Sequence, residues 1–362
     1  MDIDAFLADR RRRNLAIMTA IAFVSLLLAL AALWQQASYG APAAAPADFF
    51  PGLSKTVRGA THIHVVSKAG AFDIAFVPEK GWVVRQRGDY PASFDLIQRT
   101  LVGLAALQTI EPKTARPDWL HYVGLDAPPR GDGLLMTVSD DKGHELAAII
   151  TGKSEDIGDT SGATGLFVRR PNEDQSWLAR SVIDPRGNMA DWLDKHVLDV
   201  DQSRIQEVDV DPAGSPSFVV QRLLPSDPDF KLTPVAAGKS VGDPTVPDAV
   251  GYAITGFGFD DVRPASELDF TNPTTTARVT TKTFDGLTVT LHVLKSGQDY
   301  WAVLSAEASD AGKADAAKEA AAINARASGW AYKLPAFKGQ LFMTTLDSML
   351  KTPAAPPATA TP

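Results

Sequence analysis

The chain of 362 residues contains no cysteine. Disulfide bonds, thiolate metal sites, a cysteine nucleophile and a lipid attached through cysteine are therefore all excluded. The sequence also lacks a His-Glu-x-x-His motif, which would place two zinc-binding histidines on one face of a helix. Stability has to come from a packed core, and a hydrophobic content of 45% is sufficient for one.

Long blocks of one charge are also absent. The chain has 35 basic and 43 acidic side chains, which gives a formal net charge of −8 at pH 7. The two signs are interspersed after residue 34. A nucleic-acid partner requires a basic stripe or patch, so this distribution argues against that class of partner.

One long uncharged run is present, and it lies near the N-terminus. Residues 15–34 contain no charged side chain, and four arginines, Arg10 to Arg13, precede them. Twenty helical residues span about 30 Å, the thickness of a bilayer core, and the arginines favour a cytoplasmic position for residues 1–14. We therefore predict a transmembrane helix over residues 15–34, with the lipid bilayer as its partner and the rest of the chain outside the cytoplasm.

Two other interpretations of this segment remain open. The apolar region of a cleaved signal peptide is shorter, roughly 7 to 15 residues, and the best cleavage pattern, Ala43-Ala44-Ala45, lies well beyond the run. Arg12-Arg13-Asn14-Leu15 loosely fits a twin-arginine export signal. We adopt the retained anchor.

Composition divides the remaining chain into four parts. Residues 35–60 form an Ala/Pro-rich linker and the entry to the folded region, and residues 352–362 form a Pro/Ala/Thr tail that we expect to be disordered. Between them, residues 61–200 and 201–351 each predict an α+β lobe in which antiparallel strands pack with helices. The chain length also favours two domains.

The first lobe begins with a predicted antiparallel meander. A helix follows, which opens after Pro91-Ala92-Ser93 and closes before Pro112. Two hairpins and a short helix complete the lobe. The predicted elements are strands at 61–66, 72–77 and 82–84, hairpin strands at 134–138, 146–151, 165–169 and 176–178, and a helix near 189–197.

A related order recurs in the second lobe, and we interpret it as a diverged tandem duplication. The two helix exits, Ile110-Glu111-Pro112 and Val262-Arg263-Pro264, are alike. Identity between the halves is low, so two unrelated α+β segments remain an alternative. The predicted elements are strands at 205–210, 217–221, 230–232, 276–283, 286–294 and 300–304, and helices near 246–257, 311–327 and 339–350.

Short motifs in both lobes resemble those of one family. The motifs are Gly81-Trp82-Val83-Val84, Tyr90-Pro91-Ala92, Arg116-Pro117, Val123-Gly124-Leu125, Pro128, Ile150-Thr151-Gly152, Gly165-Leu166-Phe167-Val168-Arg169, Trp192-Leu193 and Gly329-Trp330-Ala331-Tyr332-Lys333-Leu334-Pro335. With the single N-terminal span, they make the chain similar to the DUF4340 family over most of its length after the linker.

The resemblance implies no established activity and brings no catalytic residue. Some relatives look like membrane-anchored components that accompany an ABC-type transport system of the gliding-motility kind. For this chain the resemblance therefore implies a single-pass protein of a bacterial inner membrane, with a cytoplasmic N-terminus, a periplasmic bulk, and a possible ABC-type permease and ATPase as partners.

Two Gly-Lys-Ser sequences invite comparison with a phosphate-binding loop. They are Gly152-Lys153-Ser154 and Gly238-Lys239-Ser240. Such a loop needs a glycine five residues earlier and a helix immediately afterwards. Ala147 and Thr233 occupy the earlier positions, so we expect no nucleotide cofactor.

Two alternating patterns carry possible metal ligands. His62 and His64 would face the same side of a strand, and so would Glu207, Asp209 and Asp211 on a later one. A solvated sheet face explains both patterns, and the loop from Glu155 to Asp159 lacks the ligand spacing of a calcium site. We assign no catalytic, cofactor-binding or metal-binding residue.

Six tryptophans, Trp82, Trp119, Trp177, Trp192, Trp301 and Trp330, are scattered along the chain and are expected to anchor the core.

We expect an anchored binding or scaffolding protein without catalysis and with an unknown ligand, which a cleft between the lobes would bind. One alternative is an envelope hydrolase that acts on glycan or peptide through an unrecognised carboxylate pair. The other is a purely structural spacer.

Overall fold

A computed structural model describes Met18 and residues 22–30, 46–235, 237–272, 274–309 and 314–351. Met18 and residues 22–30 are helical. Within the described ranges, no helix is both long and apolar enough to cross a membrane. Much of the predicted span at 15–34 lies outside these ranges, as do residues 1–14 and the predicted tail at 352–362.

The protein is mixed α+β, with two large antiparallel sheets. The first has the strand order β1-β6-β10-β9-β8-β7-β2-β3-β4-β5. Its strands are β1 (Ala47–Asp48), β2 (Ala60–Ser67), β3 (Gly70–Val77), β4 (Gly81–Val84), β5 (Tyr90–Pro91), β6 (Gln108–Pro112), β7 (Leu134–Asp140), β8 (Glu145–Glu155), β9 (Thr164–Arg169) and β10 (Ser176–Ser181).

The second sheet has the order β13-β12-β11-β16-β17-β18-β19-β15, and β14 and β20 form a separate pair. The strands are β11 (Ile205–Asp211), β12 (Phe218–Gln221), β13 (Lys231–Thr233), β14 (Ser240–Val241), β15 (Asp261–Pro264), β16 (Thr276–Thr283), β17 (Leu287–Ser296), β18 (Asp299–Ala308), β19 (Trp330–Leu334) and β20 (Leu350–Lys351).

The helices lie between or after these strands. They are α1 (Leu53–Thr56), α2 (Phe94–Ala105), α3 (Thr245–Gly251), α4 (Ala314–Ala327), α5 (Ala336–Phe342) and α6 (Leu346–Met349). Short 3-10 helices are Val57–Gly59, Arg85–Arg87, Pro117–Val123, Met189–Trp192, Gln202–Arg204 and Ala265–Glu267.

The two sheets share one strand order. Reversed, the second reads β15-β19-β18-β17-β16-β11-β12-β13, which corresponds to β6-β10-β9-β8-β7-β2-β3-β4 in the first. Every pair within both sheets is antiparallel. A helix also stands at the same place in both, with α2 between β4 and β6 and α3 between β13 and β15.

The cores of the two sheets are joined. A single cluster of buried apolar side chains includes Ile63 and Ile149 from the first sheet and Val208 and Val289 from the second. The predicted alternation of apolar and polar residues along the strands supplies the side chains of this core. Ile63 and Val65 on β2 are fully buried while their neighbours in the strand are not. The two predicted lobes therefore share one continuous core at this junction.

Aromatic side chains fill the junction itself. The ring of Tyr90 packs edge-on against those of Phe259, Trp330 and Tyr332, with centroid distances of 6.0, 5.0 and 6.2 Å. The hydroxyl of Tyr90 donates to the carbonyl of Asp194 at 3.0 Å. Burial raises the pKa of both tyrosine hydroxyls, so these rings are neutral packing groups.

Several predicted helices are wrong in extent. The segment 189–197 is helical only as a single 3-10 turn, because Leu193 then forms an extended bridge with Ala92. The helix predicted to close before Pro112 ends at Ala105, and the one predicted at 246–257 ends at Gly251. The one at 339–350 is broken into α5 and α6. Residues 108–112, 261–264 and 330–334 are strands that the sequence patterns did not predict.

Candidate functional site

The two strand histidines meet a single carboxylate. Nδ1 of His64 lies 2.7 Å and Nε2 of His62 lies 3.2 Å from Oδ1 of Asp73 on β3. The amide of Gln86 donates to the other oxygen of Asp73 at 2.8 Å. Burial acts to raise the pKa of Asp73, but the hydrogen bonds and the histidine charges outweigh it and lower the pKa.

Glu207, one of the three acidic residues on β11, forms an ion pair with Lys282 on β16. Nζ of Lys282 lies 2.7 Å from Oε1 of Glu207. Burial raises the pKa of the Asp209 carboxyl, against the opposing charge of Lys282. In the part of the chain that the structure describes, no three His, Asp or Glu side chains are arranged to hold a metal ion.

Neither Gly-Lys-Ser sequence begins a helix. Residues 152–154 lie within β8, and Ser240 begins β14. The stretch Gly238-Lys239-Ser240-Val241-Gly242 also matches the Gly-x-Ser-x-Gly pattern of a nucleophile elbow. A nucleophile elbow requires a serine on a sharp turn from strand to helix, whereas Ser240 pairs with Lys351 in a two-residue ladder.

A groove of about 550 Å³ lies at one end of the first sheet. We call it the end groove. β10 finishes there at Ser181, directly opposite Thr164 at the start of β9. Its walls include Lys153, Ser154, Thr164, Ser181, Asp184 and Pro185.

A second cavity of about 340 Å³ adjoins the end groove and shares Gly152 and Pro185 with it. Thr151 lines this cavity and is buried, and its hydroxyl has no hydrogen-bond partner among the described residues. A buried hydroxyl without a partner is costly, so it marks a place where a polar ligand atom or water is favoured.

Exposed aromatic side chains stand on the 3-10 helix Pro117–Val123. Trp119 retains 48% and Tyr122 retains 66% of its surface exposed. The expectation that Trp119 anchors the core is therefore wrong, whereas Trp192 and Trp301 are buried as expected. The spacing of three between Trp119 and Tyr122 is a signal in the sequence that these two side chains share one side of a 3-10 helix.

Two other cavities each include a pair of carboxylates. Glu145 and Glu173 line one of about 530 Å³, and Asp261 and Glu267 line one of about 240 Å³ at the junction of the sheets. An arginine already binds one member of each pair, because Arg170 contacts Glu173 and Arg87 contacts Asp261.

A comparison of sequences identifies the family of this chain. A family model described as a domain of unknown function, DUF4340, matches residues 82–276, which is more than half of the chain. The match begins in β4 and ends at the start of β16, so it includes parts of both sheets. No curated protein and no solved structure matches the chain. The resemblance inferred from the short motifs is confirmed, and the chain belongs to the DUF4340 family.

Proposed function

We propose that this protein is a membrane-anchored extracytoplasmic binding or scaffolding protein, and that it is an accessory subunit of an ABC-type transport or other cell-envelope complex. The observation that carries the proposal is an apolar stripe on the outward face of α2. Phe94 and Val102 are 61% and 56% exposed, the exposed Gln98 lies between them, and Leu101 and Ala105 are half-buried beside them.

Helical geometry explains how α2 can be apolar on two sides. At 100° per residue, Leu96, Ile97 and Leu104 face the core, while Phe94 and Val102 fall on the opposite side. An exposed apolar stripe on a surface helix is typical of a protein–protein contact.

The stripe lies beside the point at which the chain enters the folded region. The backbone N–H of Phe49 donates to the carbonyl of Leu107, just after α2, at 2.8 Å. The linker from residue 35 to residue 46 has a maximum reach of about 40 Å. A helix retained over residues 15–34 would therefore keep α2 close to the bilayer, where a permease would be its neighbour.

We also infer that the two sheets descend from a tandem duplication. The support is the shared strand order, together with a small apolar cluster on each sheet outside the main core. Leu120, Leu125 and Ile150 form this cluster on the first sheet, and Leu294, Trp301 and Ala331 form it on the second. In both units, residues that follow β6 or β15 complete the cluster.

Affinity purification from gently solubilised membranes tests the partner proposal. We expect a C-terminally tagged full-length chain to recover an ABC permease and ATPase, identified by mass spectrometry. Val102→Glu should lose them, because it places a charge in the stripe. Leu223→Glu is the matched control, since Leu223 is also exposed but lies in the second unit.

A chain that lacks residues 1–34 separates tethering from contact, and it should recover less partner even with α2 intact. Recovery of the tagged protein alone, under conditions that preserve a known transporter complex, would contradict the accessory-subunit proposal. Equal recovery with the Val102→Glu chain would contradict the assignment of the contact to α2.

A further inference from the structure

A cavity of about 580 Å³ lies on the outer face of the second sheet, and we call it the sheet cavity. Its floor is a cross-strand pair, Arg278 on β16 and His292 on β17, which are directly opposite one another in the ladder. Both side chains face away from the core, because their neighbours along each strand are buried. The walls are the turn between β11 and β12, from Asp211 to Pro216, and the segment around Phe270.

Four polar side chains of the sheet cavity make no contact that the fold uses. Among the described residues, no ion pair within 4 Å involves Arg278 or Asp211, although the two are partners across the β11–β16 ladder. The ring of His292 and the hydroxyl of Ser215 likewise have no hydrogen-bond partner in the part of the chain that the structure describes. An oppositely charged pair that is held apart in one cavity leaves both charges available to a ligand.

The sheet cavity carries one positive and one negative charge at neutral pH. Burial, and then the charge of Arg278, lower the pKa of His292, so its ring is neutral and still offers one N–H donor. Arg278 and Asp211 supply the two charges, and the other wall residues are uncharged. A simple anion would therefore meet Asp211 as a like charge, and a simple cation would meet Arg278 in the same way.

Apolar side chains line another part of the sheet cavity. Phe270, Pro212 and Pro216 belong to its walls. Phe270 also packs against the small cluster that contains Leu294 and Trp301, which holds its ring in place. The volume of the cavity falls within the range of small-molecule sites, about 300–1,000 Å³. The cavity therefore offers an apolar wall beside a separated pair of charges.

The shared strand order does not itself require charges at this place. β2 and β11 have a register shift at the same point of their pairing with β7 and β16. Counted from that shift, the cross-strand pair of Leu135 and Ile150 in the first sheet matches the floor of the sheet cavity. Leu135 and Ile150 are apolar and pack with Leu120 in a small cluster. The polar floor is thus a property of the second unit alone.

We propose that the sheet cavity binds a small zwitterion of the amino-acid class, either a free amino acid or a dipeptide. The ligand carboxylate pairs with the guanidinium of Arg278 and accepts a hydrogen bond from the ring of His292, and the ligand ammonium pairs with Asp211. An apolar ligand side chain packs against Phe270. This inference rests on the binding part of the proposed function, for which it names a ligand class, and it needs no transporter.

Calorimetric titration of the full-length chain tests the inference. The protein is kept in dodecyl maltoside, because lipids with zwitterionic head groups would compete. The probes are leucine, phenylalanine and the dipeptide alanyl-phenylalanine, and the N-acetyl and C-amide derivatives of each lack one of the two charges. We expect at least one zwitterionic probe to bind, and its two single-charge derivatives to bind about tenfold more weakly.

Substitutions in the sheet cavity test the two charges separately. Arg278→Gln and Asp211→Asn should each raise the Kd about tenfold, because each removes one partner of the zwitterion. Arg278→Lys keeps the positive charge and should recover part of the lost affinity. Lys282→Gln is the matched control, since Lys282 lies on the same face of β16 but pairs with Glu207 outside the cavity, and it should leave the Kd unchanged. Circular dichroism identifies any variant that fails to fold.

Absence of binding to all three zwitterionic probes would overturn the inference, and so would binding that Arg278→Gln leaves unchanged. If Asp211→Asn tightens binding and the N-acetyl derivative binds as well as its parent, the cavity is a simple anion site and the zwitterion assignment is wrong. Val102→Glu, which tests the transporter partner, should leave ligand binding unchanged, and Arg278→Gln should leave partner recovery unchanged, so the two proposals fail separately.

Discussion

The guanidinium of Arg87 forms two hydrogen bonds with the carboxylate of Asp261, at 2.6 Å from Nε and 2.7 Å from Nη2. Arg87 lies between β4 and β5 at one edge of the first sheet, and Asp261 begins β15 at an edge of the second. Two edges that would otherwise stay open therefore cover one another. A paired fork of this kind fixes their relative orientation as well as their separation.

The Arg87–Asp261 pair should contribute measurably to stability. Both side chains are about three-quarters buried, so Arg87→Ala leaves a partly desolvated carboxylate without its partner. We expect the free energy of unfolding to fall by roughly 1–3 kcal/mol, measured by urea denaturation. Lys68→Ala, which breaks the exposed pair with Asp132, should change it by less than about 1 kcal/mol. Equal midpoints for Arg87→Ala and the unaltered chain would refute this role.

Asp73 should make the protein sensitive to acid. Its folded-state pKa is lowered, so the ionised carboxylate stabilises the fold above its ordinary pKa, and this contribution is lost as pH falls through the lowered pKa. Asp73→Asn should therefore reduce stability at pH 7 and give a flatter stability profile below about pH 4. Unfolding free energies measured from pH 2 to 7 decide this, and parallel profiles for both proteins would argue against it.

The unpartnered hydroxyl of Thr151 should be a stability defect. Thr151→Val keeps the shape and removes a buried polar atom without a partner, so we expect a gain of about 1 kcal/mol. Ser176→Ala should have the opposite effect, a loss of about 1–3 kcal/mol, because the Ser176 hydroxyl donates to the carbonyl and accepts from the N–H of Thr114. Thermal or urea unfolding of both variants provides the measurement. A loss of stability in Thr151→Val would mean that the hydroxyl is satisfied in solution.

Gly339 should be required for the packing of α5. An alanine Cβ at this position would overlap the ring of Tyr300 on β18. Gly339→Ala should therefore lower stability by about 1–3 kcal/mol, although alanine favours the helix by about 1 kcal/mol. Gln340→Ala, at the exposed neighbouring position, should be neutral or slightly stabilising. A stabilised Gly339→Ala chain in urea unfolding would show that the helix shifts freely away from Tyr300.

Strands and helices that depend on neighbouring residues were predictable from the sequence. Alternation across Ile63 and Val65 predicted β2, because side chains of period two choose a face whatever lies beyond it. Ser93 before an apolar period of helical spacing predicted α2, and its hydroxyl accepts from the N–H of Leu96. The short motifs were sufficient to predict the family.

Strands that depend on pairing with distant parts of the chain were not predictable. Residues 108–112 and 330–334 have no alternation of their own, and they become β6 and β19 because β10 and β18 supply their hydrogen bonds. The helix predicted near 189–197 is mostly extended, because the carbonyl of Trp192 accepts from the N–H of Ser93 across about a hundred residues. Such pairings depend on where the chain returns in space.

The sequence by itself determined the absence of thiol chemistry, the acidic composition and most strands, because each depends on residue type or on local period. Only the tertiary structure decided that Trp119 is exposed while Trp192 is buried, and that Lys153 donates a hydrogen bond to the carbonyl of Tyr122. It also decided that Arg87 and Asp261 join two sheets of one strand order. Those relationships connect residues far apart in the chain, and only packing of the whole core brings them together.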